Sequence, residues 1–344
     1  MISTVVKGLA AQGKRSMSTI RYSEFGHPFS VLKYDGGGRQ GGGSGPGPSG
    51  AQVPGCSINV ADLSQIQGAY AIKPKFPAVA GNEGVAVVTA VGAGVTNVKV
   101  NDRVIPPAPP SVRTWRSKAV ADSAEVMKIS DKIKVEDAAT LSVNPATAYR
   151  MLADFTTLNK GDVVIQNGAN SAVGQAVIQL AALRGIKTIN IIRDDGDYDV
   201  TVEHLKNLGA NVVCTADYIG SAKFKELISD LPAPSSRLTA LEMAKVLAKK
   251  GVHVTYGGMG KEAVAVGTGS LIFHDITLKG FWLSQWVKDS TVEERAAMLS
   301  ELAGLVEAGK LRTWIQTYKF EDFDDALQAA VARTTKRKVV LLME

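Results

Sequence analysis

The chain is short of the residues that build metal cages and covalent staples. Its 344 residues include two cysteines, Cys56 and Cys214, and four histidines, His27, His204, His253 and His274. The cysteines lie far apart, which argues against a disulfide framework and for a reducing compartment. None of the six has metal-ligand spacing, so no zinc site is expected. No run of about 18 apolar residues occurs, so no membrane span is expected. The composition, 45% hydrophobic and 21% charged, is that of a soluble globular protein. The length suggests two domains with full cores.

Acid is missing from the first 23 residues, which carry Lys7, Lys14, Arg15 and Arg21 among Ser, Thr and Ala. That composition predicts a mitochondrial transit peptide over residues 1–19, or else a disordered basic arm. Much of the net charge of +6 sits there. The rest of the chain has no basic stripe with interleaved aromatics, so nucleic-acid binding is not expected.

Residues 20–34 read as a β-hairpin turning near Gly26-His27-Pro28. Residues 36–50 are Gly-rich and have little to bury, and the stretch 36–55 is expected to be disordered. From 51 to 130, short β runs alternate with glycines, as in a small barrel-like domain. After residue 136 come helical pieces broken at Asn144-Pro145. Strand and helix then alternate, which predicts a parallel, doubly wound sheet. The expected strands are 163–167, 188–193, 211–215, 253–257 and 277–282. The expected helices are 172–184, 200–208, 222–229, 239–249 and 291–308. The end of the chain reads as a further helix and strand.

The segment 163–185 carries the clearest binding motif. A strand ends at Asn167, a turn of small residues follows (Gly168, Ala169, Asn170, Ser171, Ala172), and a helix opens with Val173 and Gly174. Small residues let the backbone approach a pyrophosphate, and the helix tip offers free N–H groups and a positive dipole end. A plain strand–turn–helix would read the same, because strict G-x-G-x-x-G spacing is absent. The next strand ends in Arg193-Asp194-Asp195. An acid there favours a ribose hydroxyl and an arginine a 2′-phosphate, so Arg193 favours NADPH; the two aspartates could instead cap the following helix. A second glycine turn follows Tyr256, with Gly257, Gly258 and Met259. It suits a flat ring or a simple αL turn. Phe281, Trp282 and Leu283, with Trp286, read equally as pocket lining or core.

Taken together, SQIQGAY (64–70), FPAVAGNEGVAVVTAVG (76–92), SVNPATAYRML (142–152), VIQNGANSAVGQAVIQ (164–179), VTYGGM (254–259) and LKGFWLSQW (278–286) resemble the mitochondrial trans-2-enoyl-CoA reductases. These are zinc-free medium-chain dehydrogenases/reductases. The resemblance implies an α/β fold with a GroES-like β-barrel domain over 20–143 and 313–344 and a Rossmann domain over 144–312. It implies NADPH-dependent reduction of an enoyl-CoA or enoyl-acyl-carrier-protein in the mitochondrial matrix, by a homodimer. Tyr70 falls at the family's catalytic tyrosine. Asn144, Asn170 to Val173, Arg193, Asp194, Asp195, Tyr256 to Met259, Phe281 to Leu283 and Lys338 fall at cofactor positions. The basic cluster Arg333, Lys336, Arg337 and Lys338 could meet coenzyme A phosphates or an acidic carrier, or form a solvated face.

Two departures from the family stand out. Asn59-Val60-Ala61-Asp62 lacks the family's proline, which predicts a looser Tyr70 loop. Between the helices 222–229 and 239–249 lies LPAPSSRLT, where an apolar central strand is expected. A missing strand would orphan backbone groups on two neighbours, at about 1–3 kcal/mol for each buried group. That gap leaves two alternatives open, an inactive isoform and a non-catalytic binding protein. Another zinc-free reductase, such as a quinone oxidoreductase, is a third.

Overall fold

A computed structural model describes residues 17–36, 49–106, 112–194, 196–219, 221–229, 231, 236–238, 243, 246–258, 263–332 and 336–343. Asp195, Met259, Arg333, most of the helix expected at 239–249 and residues 1–16 of the expected transit peptide lie outside these residues. The end of that expected peptide lies within them: Thr19 is buried and opens the first strand.

The described residues form three sheets. In the smallest, β1 (Thr19–Tyr22) pairs antiparallel with β2 (Lys33–Asp35) and with β4 (Ala78–Val79). The expected hairpin is therefore present, but its connection holds a helical turn, α1 (Pro28–Val31), with Pro28 in its first turn.

The second sheet joins both ends of the chain. Its order is β15 (Ile315–Lys319), β16 (Lys338–Leu342), β3 (Ser49–Ser57), β5 (Gly84–Ala90), β6 (Arg103–Ile105) and β8 (Met127–Ile129), with β7 (Lys118–Ala121) also on β3. β3 corrects the expectation of disorder through residue 55. From Ser49 the chain is a nine-residue strand touching three neighbours, β5, β7 and β16. Only residues 37–48 of the Gly-rich run lie outside the described residues. Among the described residues this GroES-like sheet does not close into a barrel.

The third sheet is parallel throughout, with the order β11 (Val212–Thr215), β10 (Lys187–Ile192), β9 (Val163–Asn167), β12 (Ser236–Leu238), β13 (Val252–Thr255) and β14 (Thr277–Gly280). This is the 3-2-1-4-5-6 order of a dinucleotide-binding domain. It corrects the expectation of a missing strand. Three residues of the expected linker fill the central slot, pairing Ser236, Arg237 and Leu238 with Val164, Ile165 and Gln166 on one side. Ser236 and Arg237 pair with Val252 and His253 on the other.

Helices α2 (Val60–Ile66), α3 (Val135–Ala138) and α4 (Asn144–Met151) precede β9. The expected break at Asn144-Pro145 is the start of α4, where proline is tolerated because the first N–H groups of a helix are unpaired anyway. Helix α5 (Ala172–Leu183) follows β9 and α6 (Tyr198–Asn207) follows β10. α7 (Ala222–Leu227), α8 (Thr268–His274), α9 (Leu283–Asp289), α10 (Val292–Glu307) and α11 (Phe323–Val331) complete the helical layers. None is long and apolar enough to cross a membrane, among the described residues. One core crosses from the second sheet into the third. Val85, Ile105 and Val340 pack in the same cluster as Val164, Val177 and Leu302.

Helix α5 meets its strand at Gly174. A Cβ there would lie 2.6 Å from the Cα and carbonyl oxygen of Ala169, both backbone atoms. Neither can swing aside as a side chain could. Gly174→Ala is expected to lose about 1–3 kcal/mol of unfolding free energy by overpacking, measured by urea titration. An unchanged midpoint would contradict the close approach.

Candidate active site between the two domains

The turn from β9 to α5 is built from local rules. Gly168 has φ +57°, a conformation glycine adopts without a Cβ clash. Ser171 caps α5, its hydroxyl accepting from the Gly174 N–H at 3.1 Å. Gln166 locks the turn from below, its amide donating to the Gly174 carbonyl (3.0 Å) and to Asn190 Oδ1 (2.8 Å). The Ser171 N–H is taken by the Gly168 carbonyl at 2.9 Å, and Ala172 and Val173 open the helix with first-turn N–H groups that have no intrahelical acceptor. Arg193 lies at the exposed end of β10. Asp194 beside it accepts from the Gly196 N–H at 3.3 Å. Its carboxylate thus makes a local turn and does not cap α6, whose N-cap is Asp197.

Tyr256 leans onto the same turn. Burial raises its phenol pKa, and a hydrogen bond with Ser171 opposes that rise. Gly257 and Gly258 are exposed, and a Cβ on either would meet nothing within 4 Å. They border open space beside the helix tip.

The aromatic run divides between the two roles expected of it. Phe281 packs edge-on against Phe155 at 5.7 Å, and Leu283 is buried in the shared core. Trp282 turns the other way, toward the other domain. Its indole N–H donates to the Tyr70 hydroxyl at 2.7 Å, with the rings edge to face at 5.9 Å. Tyr70 and Trp282, 212 positions apart, are thus brought together.

Asn144 and Lys338 share a different neighbourhood. Asn144 Nδ2 donates to Asn59 Oδ1 at 3.1 Å. The buried Lys338 ammonium donates to that same oxygen and to the Ile58 carbonyl (2.9 Å). It lies 4.0 Å from the buried carboxylate of Glu83. Burial lowers its pKa, and Glu83 and Asp62 oppose the shift. Lys338 therefore reaches Asn144 only through Asn59. The basic cluster is not a free solvated face. Lys336 pairs with Asp197 at 3.5 Å, and Arg337 lies over Trp314 at 5.1 Å.

Sequence reasoning gave no role to the polar residues beneath these two groups. Glu83 is fully buried and accepts from Ser57 Oγ (2.6 Å), Asn59 Nδ2 (2.9 Å) and the Val143 N–H (2.7 Å). Asp62 accepts from the Asn59 N–H (2.7 Å) and from both the backbone and side-chain N–H of Asn82 (2.8 and 2.6 Å). The signal was present, since an Asn-Glu pair interrupts the apolar run VAGNEGVAVV. The Asn59–Asp62 bond also fixes the start of α2 without the absent proline.

Burial pushes the Asp62 carboxyl up from 3.8 to about 6, against the opposing pull of the Asn59 N–H, Lys338 and Arg113, while Glu83 adds to the rise. Between pH 4 and 6 the folded chain holds a proton that the unfolded chain has released. The stabilisation from Asp62 is therefore full below pH 4 and lost as pH rises through 6. Asp62→Asn lacks this dependence. The stability gap between wild type and variant is expected to narrow by on the order of 3 kcal/mol from pH 4 to pH 7, measured by urea unfolding at each pH. A gap that stays constant would remove the titration.

Comparisons with known proteins fit this geometry. Residues 47–129 match the alcohol dehydrogenase GroES-like domain and residues 194–341 the zinc-binding dehydrogenase domain. Among the described residues, no group of three or more His, Cys, Asp or Glu could hold a metal ion. The mitochondrial enoyl-acyl-carrier-protein reductase of Dictyostelium discoideum is 43% identical over 83% of this chain and 83% of its own length. The Bos taurus protein of the same name is 44% identical over 83% of this chain and 78% of its own. Among solved structures, the complex of Etr1p with NADP and crotonyl-CoA superposes with a TM-score of 0.85 at 28% identity, covering 95% of this chain and 99% of that one. The Etr1p/Etr2p heterodimer from Candida tropicalis gives the same values. At this identity and coverage, the chain belongs to the mitochondrial enoyl-acyl-carrier-protein reductase family of medium-chain dehydrogenases/reductases.

Proposed function

We propose that this chain reduces trans-2-enoyl thioesters, carried on coenzyme A or an acyl carrier protein, with NADPH, in the mitochondrial matrix as part of fatty-acid synthesis. The observation that carries this reading is the Trp282–Tyr70 hydrogen bond, which joins the two domains.

The residues fit the cofactor. The α5 tip from Asn170 to Val173 suits a pyrophosphate. The exposed Arg193 suits a 2′-phosphate. The open side of Gly257 and Gly258, with Tyr256 and Trp282 around it, suits the nicotinamide end. When bound, NADPH supplies the hydride for the β-carbon of the substrate. Tyr70 then has a defined task. Its oxygen already accepts the indole N–H, so its own hydrogen is free to point toward the α-carbon. A phenol can deliver that hydrogen as a general acid. Trp282 remains hydrogen-bonded to the oxygen left behind, where the bond is stronger because its acceptor is charged. Asn144, oriented through Asn59, is a further polar candidate for the cofactor.

The reading extends to a homodimer. β14 is an edge strand with all four residues exposed. Beside it α8 exposes Ile272 (66%) and Phe273 (72%). An open edge with large apolar neighbours supports pairing with a second copy about a two-fold axis.

Tyr70→Phe is expected to lower kcat for crotonyl-CoA by about 100- to 1,000-fold while leaving NADPH binding intact. NADPH is expected to serve better than NADH, and crotonyl-CoA better than a quinone. Full turnover by Tyr70→Phe, or faster turnover of the quinone, would overturn the reading. Phe273→Asp is expected to shift the protein from dimer to monomer in light scattering, and an unshifted mass would refute the β14 interface.

A further inference from the structure

Tyr70 sits on a loop with few backbone anchors of its own. Ala69 and Tyr70 both donate to the Ser64 carbonyl, at 2.9 and 3.1 Å, which ties the loop to the end of α2. On the far side of Tyr70 the tie is a side chain. The buried Gln65 amide donates to the Ile72 carbonyl at 3.1 Å. Gln65 is itself gripped: its Oε1 accepts from Asn82 Nδ2 (3.2 Å) and from the Arg113 guanidinium (3.3 Å). Arg113 also donates to Asn82 Oδ1. Asn82 is anchored in turn by its two bonds to Asp62.

The donors and acceptors form a directed chain. Asn82 places its N–H groups on Asp62 and Gln65, which leaves its oxygen for Arg113. Gln65 receives both donors on its oxygen, which forces its NH2 toward Ile72. Reversing the Gln65 amide would set donor against donor twice, so its orientation is fixed. Arg113 contributes charge-assisted bonds from a half-buried site, and it lies within the electrostatic reach of Asp62, Tyr22 and Tyr70.

We propose that Gln65, held by Asn82 and Arg113, is a positioning residue that clamps the Tyr70 loop from below and sets the phenol against Trp282. The clamp supplies the rigidity that the lost proline of the 59–62 segment was expected to provide. Its consequence for turnover rests on the reading of Tyr70 as the proton donor.

The test uses the full chain with two variants, Gln65→Leu and the less buried Arg113→Gln. Two readouts are needed. The first is the indole N–H signal of Trp282 in a nitrogen–proton correlation spectrum, assigned by Trp282→Phe. It reports the Tyr70 contact whether or not Tyr70 is catalytic. The second is kcat and KM with crotonyl-CoA and NADPH. Both variants are expected to shift the Trp282 signal and to lower kcat by about 10- to 100-fold, with the KM for NADPH unchanged. Arg113→Lys, which keeps a donor and a charge, is expected to recover part of the loss. An unmoved Trp282 signal in both folded variants would overturn the clamp. A shifted signal with unchanged kcat would uphold the clamp and instead remove Tyr70 from the chemistry.

Discussion

The Glu83 carboxylate holds the two halves of this molecule in register. It is fully buried, and its partners come from three parts of the chain. Ser57 ends β3 and Asn59 caps α2, Val143 caps α4 where the Rossmann half begins, and Lys338 opens the C-terminal strand. A buried carboxylate is tolerated only when its oxygens are fully used and a counter-charge is near. Glu83 meets both conditions only if all three segments are in place. It aligns Asn59, and through Asn59 it aligns Asn144, the first residue of α4.

That alignment matters because the site belongs to neither domain alone. Tyr70 comes from the GroES-like half, while Trp282 and the glycine turns come from the Rossmann half. The continuous core behind the seam, with Val85 and Val340 beside Val164 and Leu302, resists shear between them. The polar layer in front of the core then fixes direction. Asp62, Asn82, Gln65 and Arg113 lie on the Tyr70 side, and Glu83, Asn59 and Lys338 on the Asn144 side. The two groups meet at Asp62, which accepts from both Asn59 and Asn82.

Much of this could be read from the sequence, for identifiable reasons. The strands and helices around β9, α5 and β10 follow hydrophobic period and small-residue turns, which are local signals. Arg193 and the α5 tip were singled out as cofactor candidates the same way. Tyr70 was different. Nothing local marks a loop tyrosine as special, and only the family resemblance singled it out. β12 was missed because its pairing is decided by its neighbours. Val164 to Gln166 and Val252 to His253 leave a gap that almost any extended tripeptide can fill with backbone bonds. β3 was missed at its start because Ser49 and Gly50 continue a Gly-rich run. Sheet pairing on both sides outweighs their weak strand propensity. The buried polar layer was legible only as an interruption, since its partners lie up to 280 positions apart.

The choice of tryptophan opposite Tyr70 follows from hydrogen-bond direction. A phenol has one hydrogen and can give it to only one partner. A neighbour able to accept, such as a carboxylate, would take up that hydrogen. An indole N–H can only donate. At 2.7 Å it occupies a lone pair of the Tyr70 oxygen and leaves the hydrogen available. Its edge-to-face packing holds the ring at the same time. Phe281, partly buried, and Leu283, buried, pack into the core on either side of Trp282 and anchor the backbone that presents it. The site therefore depends on an alternation within three residues, core then cleft then core.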